Sequence, residues 1–154
     1  MVTVLWSLML AGAAALPATA PVPKDLERAN AQAKGAAEEF LKAMKAEDVQ
    51  ELMKVVDVPF FVDGKQVIKE REQVEALFIK VFRNKDLTQI DYTIKEVHPA
   101  AKLPDLVHKP QRELAEKTVG DTDRVVLVVI GKDTVVVLVR FQRDGKAKVS
   151  GFAD

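Results

Sequence analysis

Between Arg124 and Phe141 the chain reads "RVVLVVIGKDTVVVLVRF". A strand with one face in water alternates apolar and polar side chains. This stretch does not. Val125, Leu127 and Val129 fall on one face of its first run, and Val126, Val128 and Ile130 on the other. The second run repeats the doubling: Val135, Val137, Val139 and Phe141 share one side, while Val136 and Leu138 precede Arg140 and Gln142 on the opposite side. Gly131-Lys132-Asp133 between them reads as a turn, so the two runs form a hairpin. A hairpin that is apolar on both faces has to be covered twice, because a soluble surface rarely carries so many valines and leucines in one patch.

Helices to cover one face come earlier in the chain. From Lys24 to Ala46 the residues Leu26, Ala29, Ala33, Ala37, Phe40, Leu41 and Met44 recur at helical spacing, and Glu38–Lys42 has the favourable i,i+4 order. "DVQELMKVVDV" predicts a second helix capped by Asp48, with Glu51 at the capping-box position and Val49, Leu52, Met53 and Val56 on its apolar side. Pro59 ends it. "PFFVDGKQVI" then reads as a hairpin turning at Asp63-Gly64, and Glu70 to Phe82 as a third helix with Val74, Leu77, Phe78, Val81 and Phe82 together.

The C-terminal half is mostly strand. "LTQIDYTIKEV" alternates, placing Ile90, Tyr92 and Ile94 on one face and Gln89, Asp91, Thr93 and Lys95 on the other. His98 to Asp123 is polar and carries Pro99, Pro104 and Pro110, with a short helix read in "PQRELAEKTVG". The two apolar runs come next, then a turn at Asp144-Gly145 and a last strand, Lys146 to Phe152. Helices followed by strands predict an α+β fold: three N-terminal helices packed on a curved antiparallel sheet.

Composition narrows the chemistry. At 154 residues, one domain is the default. Lys plus Arg and Asp plus Glu both number 23, so no net field draws nucleic acid, and none is expected as a partner. With no cysteine, thiolate metal sites and thiol nucleophiles are excluded. Serine occurs only at 7 and 150, outside any G-x-S-x-G elbow, and the seven glycines form neither a Rossmann fingerprint nor a P-loop. His98 and His108 do not share a helix turn, and HExxH is absent. Neither a metal nor a cofactor is expected.

The first twenty residues, "MVTVLWSLMLAGAAALPATA", join an apolar run to the small-residue pattern Ala18-Thr19-Ala20. This reads as a signal peptide at 1–20 with the domain at 21–154, giving a secreted or periplasmic protein. The alternative is an uncleaved membrane anchor, since the run approaches the roughly 20 residues needed to span. Trp6 belongs to this segment either way.

"FLKAMKAEDVQELMKVVDVPFFVDGKQVIKEREQVEALF" resembles the front half of the nuclear transport factor 2-like superfamily, whose members include polyketide-cyclase-like and ketosteroid-isomerase-like proteins. As an order of elements the resemblance covers Lys24 to Phe152. It implies a cone (a cystatin-like roll) whose mouth holds a small-molecule pocket. For the isomerases it implies a carboxylate base near the hairpin, with a tyrosine and a second acid as oxyanion donors. Asp63 is nearest by position, but Gly64 beside it makes it a turn residue. Asp57 is a second pocket acid or a solvated helix end. Tyr92, the only tyrosine, lies on the opposite face from Asp91, so these two form no acid–base pair. Arg140 serves an anion if it faces the pocket and is structural if an acid or Arg124 lies beside it.

Phe60, Tyr92 and Phe141 are therefore the expected pocket residues, and a small apolar molecule the expected ligand. The function read from this is an exported, non-catalytic small-molecule-binding or protein-interaction domain. An isomerase, cyclase or dehydratase using the cone is one alternative; a structural dimerisation module is another. The second sheet face is expected to be covered by a homodimer partner, or else locally by Leu103, Leu106, Val107 and Leu114.

Overall fold

The computed structural model describes residues 23–62, 66–106 and 119–153. The leader at 1–20, the Asp63-Gly64 turn, Val107, His108, Leu114 and most of the short helix read after Pro110 lie outside them. The chain runs α1 (Pro23–Ala46), α2 (Val49–Val55), β1 (Val56–Val62), β2 (Gln66–Ile68), α3 (Arg71–Asn84) and β3 (Tyr92–Pro99). A 3₁₀ turn (Ala100–Lys102) leads into the single helical turn α4 (Leu103–Leu106), followed by β4 (Arg124–Ile130), β5 (Asp133–Phe141) and β6 (Ala147–Ala153).

The corner between α1 and α2 is built by caps. Asp48 N–H donates to Ala43 O at 3.0 Å and Glu47 N–H to Met44 O at 3.1 Å, the paired bonds that close a helix through a left-handed residue. That residue is Glu47, at φ 53°, where glycine is usual. Its carboxylate accepts the Leu87 N–H at 2.9 Å, a tie to the loop after α3 that offsets the strain. Asp48 caps α2 as expected, accepting the Glu51 N–H at 3.1 Å, but the Glu51 side chain turns to Lys54 at 2.5 Å instead of closing the box.

No loop separates α2 from β1, which starts at Val56, ahead of Pro59 and its cis peptide bond. Two cations satisfy the carbonyls left over at this junction. Arg71 donates to Met53 O at 2.5 Å and to Val56 O at 3.0 Å, and Lys148 reaches Lys54 O. The strand expected from Leu87 begins only at Tyr92. Asp86 accepts both the N–H and the hydroxyl of Thr88, at 3.0 and 2.5 Å, and so bends the preceding residues into a turn.

One sheet contains all six strands in the order β2-β1-β6-β5-β4-β3. β3 to β6 form the expected antiparallel meander, but β6 pairs parallel with β1, so the sheet is mixed rather than wholly antiparallel. The cause is topological. After the first hairpin α3 carries the chain to the far edge, and three reversals bring β6 back alongside β1 in the same direction.

The inner face carries Val126, Val128, Val137, Val139 and Val149 against Ala33, Ala36, Ala37, Phe40 and Leu41 of α1, Leu52 of α2, and Val74 and Phe78 of α3. Alanines at the contact let α1 approach the sheet closely. Phe61, Val125, Val136, Leu138 and Ala153 form the outer apolar face, where Leu103 packs with Leu106 and Val119. The second face of the hairpin is thus covered, at Val125, Val136 and Leu138, by residues flanking the long polar crossing, while Leu127 and Val129 are half-buried.

Gly35 lies within α1, and a Cβ added there would meet nothing within 4 Å. Gly35→Ala is therefore expected to raise stability by about 0.5–1 kcal/mol, the helix-propensity difference between the two residues. Urea unfolding reads this directly, and a loss of stability would show that α1 packs against a neighbour at this point.

Candidate functional site

The interior of the cone is aromatic. The Phe78 ring lies 5.9 Å from Phe40, 5.7 Å from Phe60 and 6.3 Å from Phe82, the first two edge-on at 75° and 76°. Phe152 closes on Phe60 at 6.0 Å. Such edge-to-face contacts match the quadrupoles of the rings and add about 0.5–1.5 kcal/mol per pair beyond burial. Phe60 and Phe78 are completely buried. Around them Val62, Phe82, Tyr92, Ile94, Ile130 and Phe152 are half-buried and pack on the same core.

The three expected pocket residues all face the helices, but they do not converge. Phe60 belongs to the buried floor. Tyr92 opens β3 opposite Ile130, which itself pairs with Asp133, the first residue of β5. Phe141 ends β5 opposite Ala147. At a strand rise of about 3.4 Å per residue, the length of β5 puts Phe141 roughly 27 Å from the Tyr92 end of the sheet. Tyr92 is therefore at a rim, with its ring against the inner core and Ile94 beside it.

The titratable candidates lie elsewhere. Arg140 is on the outer face, opposite Lys148. It donates to Asp57 Oδ2 at 3.3 Å and to Pro59 O at 3.1 Å, while Asp57 Oδ1 accepts the Val58 N–H at 2.9 Å. Both side chains are about four-fifths buried, so Asp57 and Arg140 form a structural ion pair that fastens β5 to the start of β1. His98 pairs opposite Val125 and its Nε2 lies 2.7 Å from Glu96 Oε2, outside the cone. The Asp91 carboxylate is fully in water, 3.9 Å from Lys45. Among the described residues no cluster of three His, Asp or Glu side chains could hold a metal.

Open clefts exist on the surface. One of about 540 Å³ separates α1 from α2 and β6, bordered by Glu39, Lys42, Asp48, Glu51, Lys54 and Lys148. Asp48 is already engaged there in the α2 cap, Lys54 in its pair with Glu51, and Lys148 on the Lys54 carbonyl. A hollow of about 240 Å³ lies between Glu47, Phe82 and Asp86.

Sequence reasoning does not single out Asp123, which is only 3% exposed. Its Oδ2 accepts the Gly120 N–H at 2.9 Å. Burial pushes its carboxyl above the ordinary value of 3.8; the Gly120 bond and the charges of Arg140 and Arg124 oppose that rise, and Asp57 adds to it. A carboxyl raised on folding favours the fold when protonated. That contribution is complete below pH 3.8 and is lost as pH climbs through the raised value. Asp123→Asn keeps the acceptor without the charge. Relative to the parent it should therefore gain more at neutral pH than in acid. Melting curves of both proteins across the acid range check this, and a difference that does not vary with pH would refute it.

No family model matches the chain, and no curated protein matches it in sequence. Solved structures do match. A ketosteroid isomerase-like protein of Erwinia carotovora atroseptica SCRI1043 superposes with a TM-score of 0.54 at 15% identity, over 80% of this chain and 92% of its own. A candidate dehydratase of the nuclear transport factor 2-like family from Streptomyces avermitilis gives 0.52 at 16%, over 83% and 95%. A candidate ketosteroid isomerase of Shewanella frigidimarina NCIMB 400 gives 0.51 at 10%, over 79% and 93%. At such identities the likeness is one of fold, and it agrees with the three helices, the hairpin and the meander: this chain has the nuclear transport factor 2-like fold.

Proposed function

We propose that this is an exported, non-catalytic binding domain that takes a small apolar or amphipathic molecule at the rim around Tyr92. The observation that carries this reading is the packing of Phe40, Phe60 and Phe78 in the interior of the cone, beside the hairpin near which the resemblance to isomerases implies a carboxylate base. Phenylalanine transfers no proton, and a general acid or base has to lie within hydrogen-bond reach of its substrate. Asp57, Asp91 and His98 are each held or solvated away from this interior. The half-buried Tyr92, Ile94 and Ile130 offer apolar contact surface, with one phenolic hydroxyl to orient a ligand.

The names of the solved neighbours suggest isomerase or dehydratase activity, and one experiment addresses both readings. Titration of the mature domain with a panel of steroids and fatty acids, followed by NMR, should give saturable shifts at Tyr92, Ile94 and Ile130 without turnover. Tyr92→Phe should weaken binding about five-fold, the worth of one hydrogen bond. Turnover that disappears in Asp63→Asn would replace this reading with an enzymatic one. Export is supported by the 1–20 pattern alone. N-terminal sequencing of the native protein should give a chain starting near Pro21, whereas intact Met1 in a cytoplasmic fraction would refute export.

A further inference from the structure

The outer sheet face is the surface a second copy would need in order to pair with this chain face to face. Phe61, Val125 and Ala153 are completely buried there within a single chain, Leu138 is 1% exposed and Val136 3%. Leu103, the first residue of α4, is 2% exposed in the same cluster, with Leu106 and Val119 half-buried beside it. The polar crossing between β3 and β4 thus presents apolar side chains to the sheet at both of its ends.

Both ends are tied to one residue. Ala100 N–H donates to Asp123 O at 3.1 Å at the entry of the crossing. At its exit Asp123 N–H donates to Gly120 O at 3.1 Å, and Gly120 N–H to Asp123 Oδ2 at 2.9 Å. Asp123 directly precedes β4, whose first residue, Arg124, pairs with Val139 of β5. The entry and exit segments are therefore clamped at the edge of the apolar patch that they overlie.

We propose that residues 100–106 together with residues 119–123 form a cover in cis that takes the place of a second copy, with Asp123 as its anchor, so that the chain does not self-associate through its sheet. The physical reason is competition for one surface. A partner sheet would bury the same Val136 and Leu138 only after displacing Leu103, and a segment of the same chain acts at an effective concentration that a partner in solution does not reach. This inference does not depend on ligand binding at the Tyr92 rim.

The natural chain has no cysteine, so a single reporter can be placed under the cover. Val136→Cys changes volume little and inserts a thiol that behaves as a small apolar group. In the full chain, reaction with a maleimide should be slow compared with the unfolded protein. Its rate should not change between submicromolar and submillimolar protein, and light scattering should give the monomer mass. Protection that appears only at high concentration would show that a second copy supplies the cover, and would overturn the proposal. Rapid labelling at every concentration would overturn it equally, since the face would then be bare. In the same background Leu103→Ser should speed labelling at least ten-fold, and an unchanged rate in the folded variant would refute the cover. Leu106→Ser, at a half-buried site, supplies the same reading if Leu103→Ser does not fold.

Discussion

Gly151→Ala should lower stability by about 1–3 kcal/mol, the usual cost of forcing an extra methyl group into a packed site. A Cβ built at Gly151 would lie 2.5 Å from Phe61 O, 2.6 Å from Phe61 Cβ and 3.0 Å from Phe61 Cα. None of these atoms can swing aside, because two belong to the backbone and the third is fixed to it. Phe61 is completely buried and pairs with Gly151 across the parallel joint between β1 and β6. Relief would have to come from moving β1 and its hairpin away from β6, which disrupts the apolar clusters on both faces. A whole domain of this kind is stable by only about 5–15 kcal/mol, so the change is a large share of the total. Gly151→Val, larger and branched, is expected not to fold at all. The alanine variant is measured by urea unfolding, and a loss below about 0.5 kcal/mol, within the range of an ordinary surface change, would mean that the joint is looser than these distances.

The sequence shows some of these features far more plainly than others. Local patterns are the legible ones: the helical spacing from Leu26 to Met44, the Asp48 cap, the doubled valines of β4 and β5. Each depends on neighbours within a few residues. The parallel joint does not. Gly151 looks like an ordinary strand-end glycine until Phe61, far earlier in the chain, is known to lie against it. Glu47 is another such case, since nothing in "KAEDV" announces a left-handed residue whose carboxylate reaches Leu87. Asp57 and Arg140 are visible as charges, but which face they share depends on the register shifts of β1 and β5 against β6. The face of Tyr92 can be read from alternation, whereas its distance from Phe141 cannot, because alternation fixes the side of a sheet and says nothing about position along it.

Phe78→Ala should have the larger effect of the two substitutions, and it bears directly on function. Phe78 is completely buried, with Phe40, Phe60 and Phe82 around its ring. Removing a buried phenylalanine side chain costs about 3–5 kcal/mol, through lost transfer energy and the cavity left behind. The neighbours that would have to close this cavity are themselves rings held by α1, β1 and the far end of α3, so collapse should be incomplete. An apolar cavity of this kind stays dry and accepts small aromatic molecules. Benzene or indole should therefore raise the melting temperature of Phe78→Ala in a saturable way, since a ligand that binds only the folded state stabilises it by mass action. The parent, whose ring already occupies the space, should not respond at this depth. Ligands of the parent should instead perturb Tyr92 and Ile130 at the rim, and this separates a filled cone with a binding rim from an open pocket. If benzene stabilises the parent as much as the variant, the interior is not filled by Phe78, and the case against proton-transfer chemistry there loses its basis.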